Sequence, residues 1–245
     1  MFELVLLGGF VGLLSGFFGI GGGTILVPML LLFGYETKVA IGISVVQMVF
    51  SSIYGSYLNN KKGTLDILMV ATIGIGGFLG ALFSGKITSS VDDTVLESIF
   101  LLFVLFALLR LFFKPKEYKD EKKTSRAVLF VIGFFIGIMS MTIGVGGSII
   151  LVPVLVGFLH MPLKKATSAG LFFVVFSSVS GLISHAINGH VDYKSGVVIG
   201  LASLVGVYLG IHLKHHMVDE ILQKKLLLGF YLMIVFYLTY RIFGV

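Results

Sequence analysis

The chain has 245 residues, 57% hydrophobic and only 12% charged, with a net charge of +6 and no cysteine. Soluble domains carry roughly 25% charged residues, so a soluble globular fold is excluded, as are disulfide frameworks and thiolate metal sites. The basic excess does not point to nucleic acid, because Lys and Arg fall in loops between apolar runs, where they orient a chain in a bilayer.

Apolar stretches of about 20 residues recur along the chain, long enough to cross ~30 Å of hydrocarbon. The first, about residues 4–34, contains a five-residue helix-breaking stretch from Gly19 to Gly23, four of them glycines. Its start lacks a basic segment and a small-residue cleavage site, so it reads as mature membrane chain. Three cleaner spans follow, at about 39–59, 65–85 and 94–113. The soluble, charged stretch "KPKEYKDEKKTSR" comes next. A second broken segment occupies about 128–159, with spans at about 165–186, 193–213 and 221–243.

The second set repeats the first. A shift of 125 lays "GLLSGFFGIGGGTILVPML" on "GIMSMTIGVGGSIILVPVL". Ser15 meets Ser140, Gly19 meets Gly144, Gly21 and Gly22 meet Gly146 and Gly147, and Pro28 meets Pro153. One residue of slip later, Phe50-Ser51-Ser52 meets Phe176-Ser177-Ser178, and Gly63 and Asp66 meet Gly189 and Asp192. The expected fold is an all-α polytopic membrane protein of two homologous repeats. Residues 1–114 form the first, 115–126 a charged cytoplasmic linker, and 127–245 the second. Each repeat is a glycine-broken helical segment plus three transmembrane helices.

A broken segment either crosses once and bends, or turns at its glycines and returns to the same side. The first option gives parallel halves, the second inverted ones. Returning hairpins place 14 of the Lys and Arg residues with the linker and leave only Lys38, Lys86, Lys194 and Arg241 opposite. Because basic residues gather on the cytoplasmic side, inverted halves are the preferred reading.

Lipid cannot satisfy free backbone groups, so broken backbone at membrane depth must lie inside protein or beside a polar cavity. A helix starting after Gly19, Gly21, Gly22 and Gly23 presents unpaired N–H groups and the positive end of its dipole. The same holds after Gly144, Gly146 and Gly147. Two such starts meeting would bind an anion without a buried cation. Thr24 and Ser148 are expected to cap these helices or present hydroxyls. Close helix packing is the competing reading of the glycines.

Ser44, Gln47 and Ser51 share one helix face, and Ser177, Ser180 and Ser184 repeat the spacing, with Ser178 beside them. These side chains either coordinate an oxyanion or bond neighbouring helices. Two readings of His185 stand: a proton carrier near neutral pH, or an interfacial imidazole facing water, the latter preferred. Asp66 and Asp192 open their spans and read as helix N-caps, with proton coupling the alternative. His212-x-x-His215 has a usable metal spacing but no acid or Cys to complete a site, so no metal and no other cofactor is expected. No nucleophile–base pair appears, so no enzyme is expected.

"GFFGIGGGTILVPML", "MTIGVGGSIILVPVL", "KATSAGLFFVVFSSVSG" and "GHVDY" resemble the sulfite exporter TauE/SafE family of membrane permeases. The resemblance covers nearly the whole chain. It implies a multi-pass protein of the cell (inner) membrane that exports small sulfur-containing anions such as sulfite or organosulfonates. Its partners would be a small anionic substrate and the lipid bilayer, with homo-oligomerisation left open. A non-transporting membrane assembly subunit and a cation or metal permease remain as alternatives.

Overall fold

A computed structural model describes residues 1–18, 22–60, 67–112, 124–216 and 220–244. Among them every regular element is an α-helix. The first half holds α1 (Phe2–Phe18), α2 (Gly23–Leu32), α3 (Thr37–Asn60), α4 (Ile67–Ala81), α5 (Ser84–Ser90) and α6 (Asp93–Arg110). The second holds α7 (Arg126–Thr142), α8 (Ser148–Phe158), α9 (Leu163–Ile187), α10 (Tyr193–His216) and α11 (Glu220–Phe243). Five stretches are long and apolar enough to cross a membrane: Thr37–Leu58, Leu68–Ser90, Lys165–Ile187, Tyr193–Leu213 and Lys224–Phe243. Helices suit this setting because each satisfies its own backbone without water. Phe10, Phe135, Val205 and Phe236 stand exposed on the outer faces of their helices. An apolar surface of this extent belongs against lipid, and the chain is a multi-pass membrane protein.

The expected break in each half is present. α1 gives way to α2 between Phe18 and Gly23, and α7 to α8 between Thr142 and Ser148. Gly19, Gly21 and Asp66 lie outside the described residues, as does most of the 115–126 linker. The short helices α2 and α8 are apolar all round and sunk into two cores. α2 packs with α1, α3, α6 and α11. α8 packs with α3, α4, α7 and α9.

The span expected at about 65–85 is present as Leu68–Ser90 but interrupted: α4 stops at Ala81 and α5 resumes at Ser84. Side chains hold the interruption. Ser84 Oγ donates to the Ala81 carbonyl at 2.7 Å, Ser184 Oγ donates to the Leu82 carbonyl at 2.6 Å, and Ser184 Oγ accepts from Gly85 N–H at 2.9 Å. Ser180 Oγ donates to the Phe78 carbonyl. These serines of α9 therefore bond a neighbouring helix.

The helices pack reciprocally. α1 lies along α10, and α7 lies along α4. α3 crosses α9 at the centre, and α6 packs on α11. The close approaches fix the directions. Gly8, Gly12 and Gly16 of α1 face Ile199, Ser203 and Val207 of α10 in ascending order, so the pair is parallel. Gly42 meets His190, while Val46 and Phe50 lie on Gly196 and Gly200, so α3 also runs parallel to α10. α2 ends where α3 begins, because Arg241 Nη1 donates to the Leu31 carbonyl and Arg241 Nε to Glu97 Oε1, which also accepts from Thr37 Oγ1. α1 thus starts, and α2 finishes, at one end of the bundle.

The second half does the same at the other end. Gly76 and Gly80 of α4 meet Phe130 and Phe134 of α7, and Gly77 and Gly74 lie against Phe173 and Phe176 of α9. α4 is parallel to α7, and, because Ser180 reaches Phe78 and Ser184 reaches Leu82, also to α9; α8 returns to where α9 starts. Both broken segments are hairpins that enter from opposite ends and meet inside.

Candidate functional site

α7 ends in a Schellman turn. Gly144 takes the left-handed conformation (φ +68°), and Val145 N–H reaches back to the Ser140 carbonyl at 3.0 Å. Gly146 is left-handed as well, at φ +74°. Side chains at these two positions would be strained, which accounts for the glycines. The turn exposes carbonyls that α7 can no longer satisfy. Four separate helices supply donors. Met141 O receives His185 Nε2 of α9 at 2.9 Å, and Thr142 O receives Thr88 Oγ1 of α5 at 2.9 Å. Gly144 O receives Ser44 Oγ of α3 at 2.8 Å, and Val145 O receives Thr24 Oγ1 of α2 at 3.3 Å.

The two breaks are in direct contact. A Cβ built on Gly23 would sit 2.2 Å from the Gly144 carbonyl oxygen and 2.9 Å from Met48 Sδ, while Met48 Sδ also lies 3.0 Å from a Cβ on Gly146. Glycine at 23 is what lets the start of α2 touch the second break.

The expected capping roles of Thr24 and Ser148 are corrected. The residues at the cap positions are Gly22 for α2 and Gly147 for α8, and neither helix has a side-chain cap. Thr24 is the second residue of α2 and spends its hydroxyl proton on the opposite break. Ser148 is the buried first residue of α8.

Around the first break the picture differs. Gln47 is completely buried, and a Cβ on Gly22 would fall 2.2 Å from its Oε1 and 2.4 Å from its Nε2. Among the described residues neither amide atom of Gln47 has a hydrogen-bond partner. Leaving a buried polar group unsatisfied costs about 1–3 kcal/mol. The position aligned with Gln47 in the second half is Phe173. Its ring lies against Gly147 much as the Gln47 amide lies against Gly22. The two breaks thus have the same scaffold, with an amide lid on one and an apolar lid on the other.

The structure brings together Gly22, Gly23, Thr24, Ser44, Gln47, Gly144 and Gly146, and leaves other expected residues apart. Ser51 and Ser178 donate to carbonyls of their own helices, at Met48 and Val175, both 3.4 Å. Ser177 does the same at Phe173, at 3.0 Å. Asp192 accepts from Ser195 N–H at 3.2 Å and Ser195 Oγ at 2.6 Å, which is N-cap geometry for α10. The Ser195 hydrogen bond, foremost, holds its carboxyl below the usual carboxylate range.

His185 does not face water, as the interfacial reading had it. It is fully buried, and its second nitrogen, Nδ1, lies 3.1 Å from His190 Nδ1. His190 lies in the loop between α9 and α10. The turn that folds it back is again of Schellman type: Gly189 is left-handed (φ +76°), and His190 N–H bonds the His185 carbonyl at 3.1 Å. That turn sets the residues before and after it side by side, so a His-x-x-x-Gly-His spacing at a span end is the signal that would have found the pair. Among the described residues no group of three or more His, Asp or Glu side chains could hold a metal ion.

The family model described as Sulfite exporter TauE/SafE matches residues 4–238. The probable membrane transporter protein YdhB of Bacillus subtilis (strain 168) is 25% identical, over 89% of this chain and 92% of that protein. The probable membrane transporter protein YunE of the same strain is 27% identical, over 84% of each chain. The probable membrane transporter protein MJ0441 of Methanocaldococcus jannaschii is 30% identical over a shorter stretch, 40% of this chain and 39% of that one. No solved structure matches the chain.

Proposed function

The chain belongs to the sulfite exporter TauE/SafE family, and from that premise we propose that it is a secondary transporter exporting small sulfur-containing anions, sulfite or sulfonates, across the cell membrane. The printed descriptions of its relatives as probable membrane transporters support transport. The anion class rests on the family's description and on the first break.

The observation that carries the site is the buried, unpartnered Gln47 amide against Gly22. Beside it α2 begins. The N–H groups of its first turn and the positive end of its dipole favour an anion. Gln47 Nε2 donates to an anion oxygen, and Gln47 Oε1 accepts from a hydroxyl of the ligand or from accompanying water. A bound oxyanion would thus remove the cost that the empty amide imposes. Ser44 and Thr24 shape this place by fixing the two breaks against each other. In this reading residues 1–114 and 127–245 are the two inverted halves. The end carrying Lys38, Lys86, Lys194 and Arg241 faces outward and the linker faces the cytoplasm.

Flux of labelled sulfite and of short sulfonates in proteoliposomes tests the assignment. Saturable flux that competing oxyanions inhibit, and that Gly22→Leu removes without loss of membrane insertion, is the expected result. No saturable flux of any of these anions would overturn the substrate class. Loss of insertion in every variant at the breaks, with no selective loss of flux, would favour the assembly-subunit reading.

A further inference from the structure

The imidazole pair at the end of α9 plays no part in the anion site. Its hydrogen-bond chain runs from Ser89 of α5 through His190 and His185 to the last turn of α7. Ser89 Oγ lies 3.0 Å from His190 Nε2 and also 3.0 Å from the Gly85 carbonyl oxygen. His190 Nδ1 lies 3.1 Å from His185 Nδ1, and His185 Nε2 lies 2.9 Å from Met141 O.

A carbonyl only accepts, so His185 Nε2 carries a hydrogen in every state. In the neutral pair His185 Nδ1 is then a lone pair, and His190 Nδ1–H donates to it. His190 Nε2 is left as an acceptor, and Ser89 has one hydroxyl proton for three, His190 Nε2, Gly85 O and, at 3.4 Å, Asn188 Oδ1. The His190 contact competes with the other two. Add one proton and that competition ends. His190 Nε2–H donates to Ser89 Oγ, and Ser89 O–H donates to Gly85 O. His190 Nδ1–H donates to His185, and His185 Nε2–H donates to Met141 O. A second proton has no place, since it would set two N–H groups head to head across 3.1 Å. We infer that His185 and His190 form a buried site for one proton, which ties the second helix break to the charge state of the bundle end and couples proton movement to transport.

The surroundings suit this role. His190 is 8% exposed and His185 is fully buried, so a proton enters at His190 and is shared inward. Passing it on needs only a shift of the Nδ1 hydrogen from His190 to His185. The charge on His185 then sits at the C-terminus of α7, where the helix dipole favours a cation. The charged groups at this end include Lys38 of α3, Lys86 of α5, Asp92 before and Asp93 at the start of α6, the Glu97–Arg241 pair, and Asp192 and Lys194 at the start of α10. α7 contributes only the Met141 and Thr142 backbone and the Thr142 hydroxyl. Burial, and next the Lys38 ammonium, hold His190 below the ordinary imidazole range, while Asp93 opposes them. Uptake therefore falls below pH ~6.5, the usual imidazole value.

The coupling part of this inference rests on the transport reading above; the proton site does not, and two measurements separate them. Histidine-labelled wild-type protein in nanodiscs is titrated by nitrogen NMR. The expected result is one proton taken up by the pair, with His185 Nε2 protonated throughout. No uptake, or two independent uptakes, overturns the site. Sulfite flux is then measured with and without a pH gradient in wild type, His185→Gln and His190→Gln. A glutamine keeps a donor but binds no proton. Wild type should accumulate up to about tenfold per pH unit of gradient, and both variants should keep downhill flux but lose that accumulation. Equal accumulation in all three overturns the coupling. One-proton uptake without flux of any anion upholds the site and removes the transport reading instead.

Discussion

The two helix breaks share a backbone plan and differ in how their polar groups are satisfied. At the second break the Met141, Thr142, Gly144 and Val145 carbonyls each receive a donor from a different helix. At the first, Gln47, the counterpart of Phe173, is a buried amide with no hydrogen-bond partner among the described residues. A scaffold tied from four sides holds its shape; the unpartnered amide is what the proposed anion site uses. Division of labour between equivalent positions is how a near-symmetric bundle can bind one asymmetric solute.

Forcing the breaks apart should have the largest effect. Gly23→Val places a branched carbon where the Gly144 carbonyl oxygen already lies 2.2 Å from a Cβ. Because the obstacle is backbone, overpacking of about 3 kcal/mol is expected, read as a lowered unfolding midpoint in detergent together with lost flux. A milder midpoint change would mean that the contact yields easily.

Gln47→Leu sharpens the comparison most. It gives the first break an apolar lid of similar size to the amide. Flux should fall by about tenfold to a hundredfold, matching roughly 1.5–3 kcal/mol for a hydrogen bond to a charged group. Stability should rise by about 1 kcal/mol as an unsatisfied amide disappears. Flux unchanged, or stability lowered, would show that the amide serves packing.

Ser44→Ala works on the other side of the contrast. It removes the donor to Gly144 O and should cost about 1 kcal/mol in stability, with a smaller loss of flux than Gln47→Leu. Thr24→Val should cost less, its bond to Val145 O being the longer at 3.3 Å. Asp192→Ala, away from both breaks, should cost only about 0.5 kcal/mol for a lost cap. The Asp192 carboxyl titrates below its unfolded value of about 3.9. Its contribution is therefore present above that pH and lost as pH falls through the lower folded value.

Much of the architecture could be read from the chain itself. Span lengths follow from bilayer thickness, and the duplicated glycine motif locates both breaks. The hydroxyl partnerships could not be read. Ser44 and Gly144 O are separated by 100 positions, and Thr24 and Val145 O by 121. Only the meeting of the two hairpins brings them together. Serine spacing on α9 could not separate ligand binding from helix packing, and at Ser180 and Ser184 packing prevails. The restart at Ser84 was hidden because two of the bonds that hold it come from Ser184 of another helix. His185 was misplaced because span-end position was taken as exposure, whereas the Gly189 turn lays His190 over it.

The contact of Gly23 with Gly144 is also a fulcrum. No side chain separates the two backbones there, so motion between the helices that meet at this point is expected to pivot about it. Displacement then grows with lever arm. Spin labels near Lys38 or Arg126, at opposite tips, should swing by far more than labels beside Ser44, and a small twist at the waist would suffice to open one mouth while shutting the other.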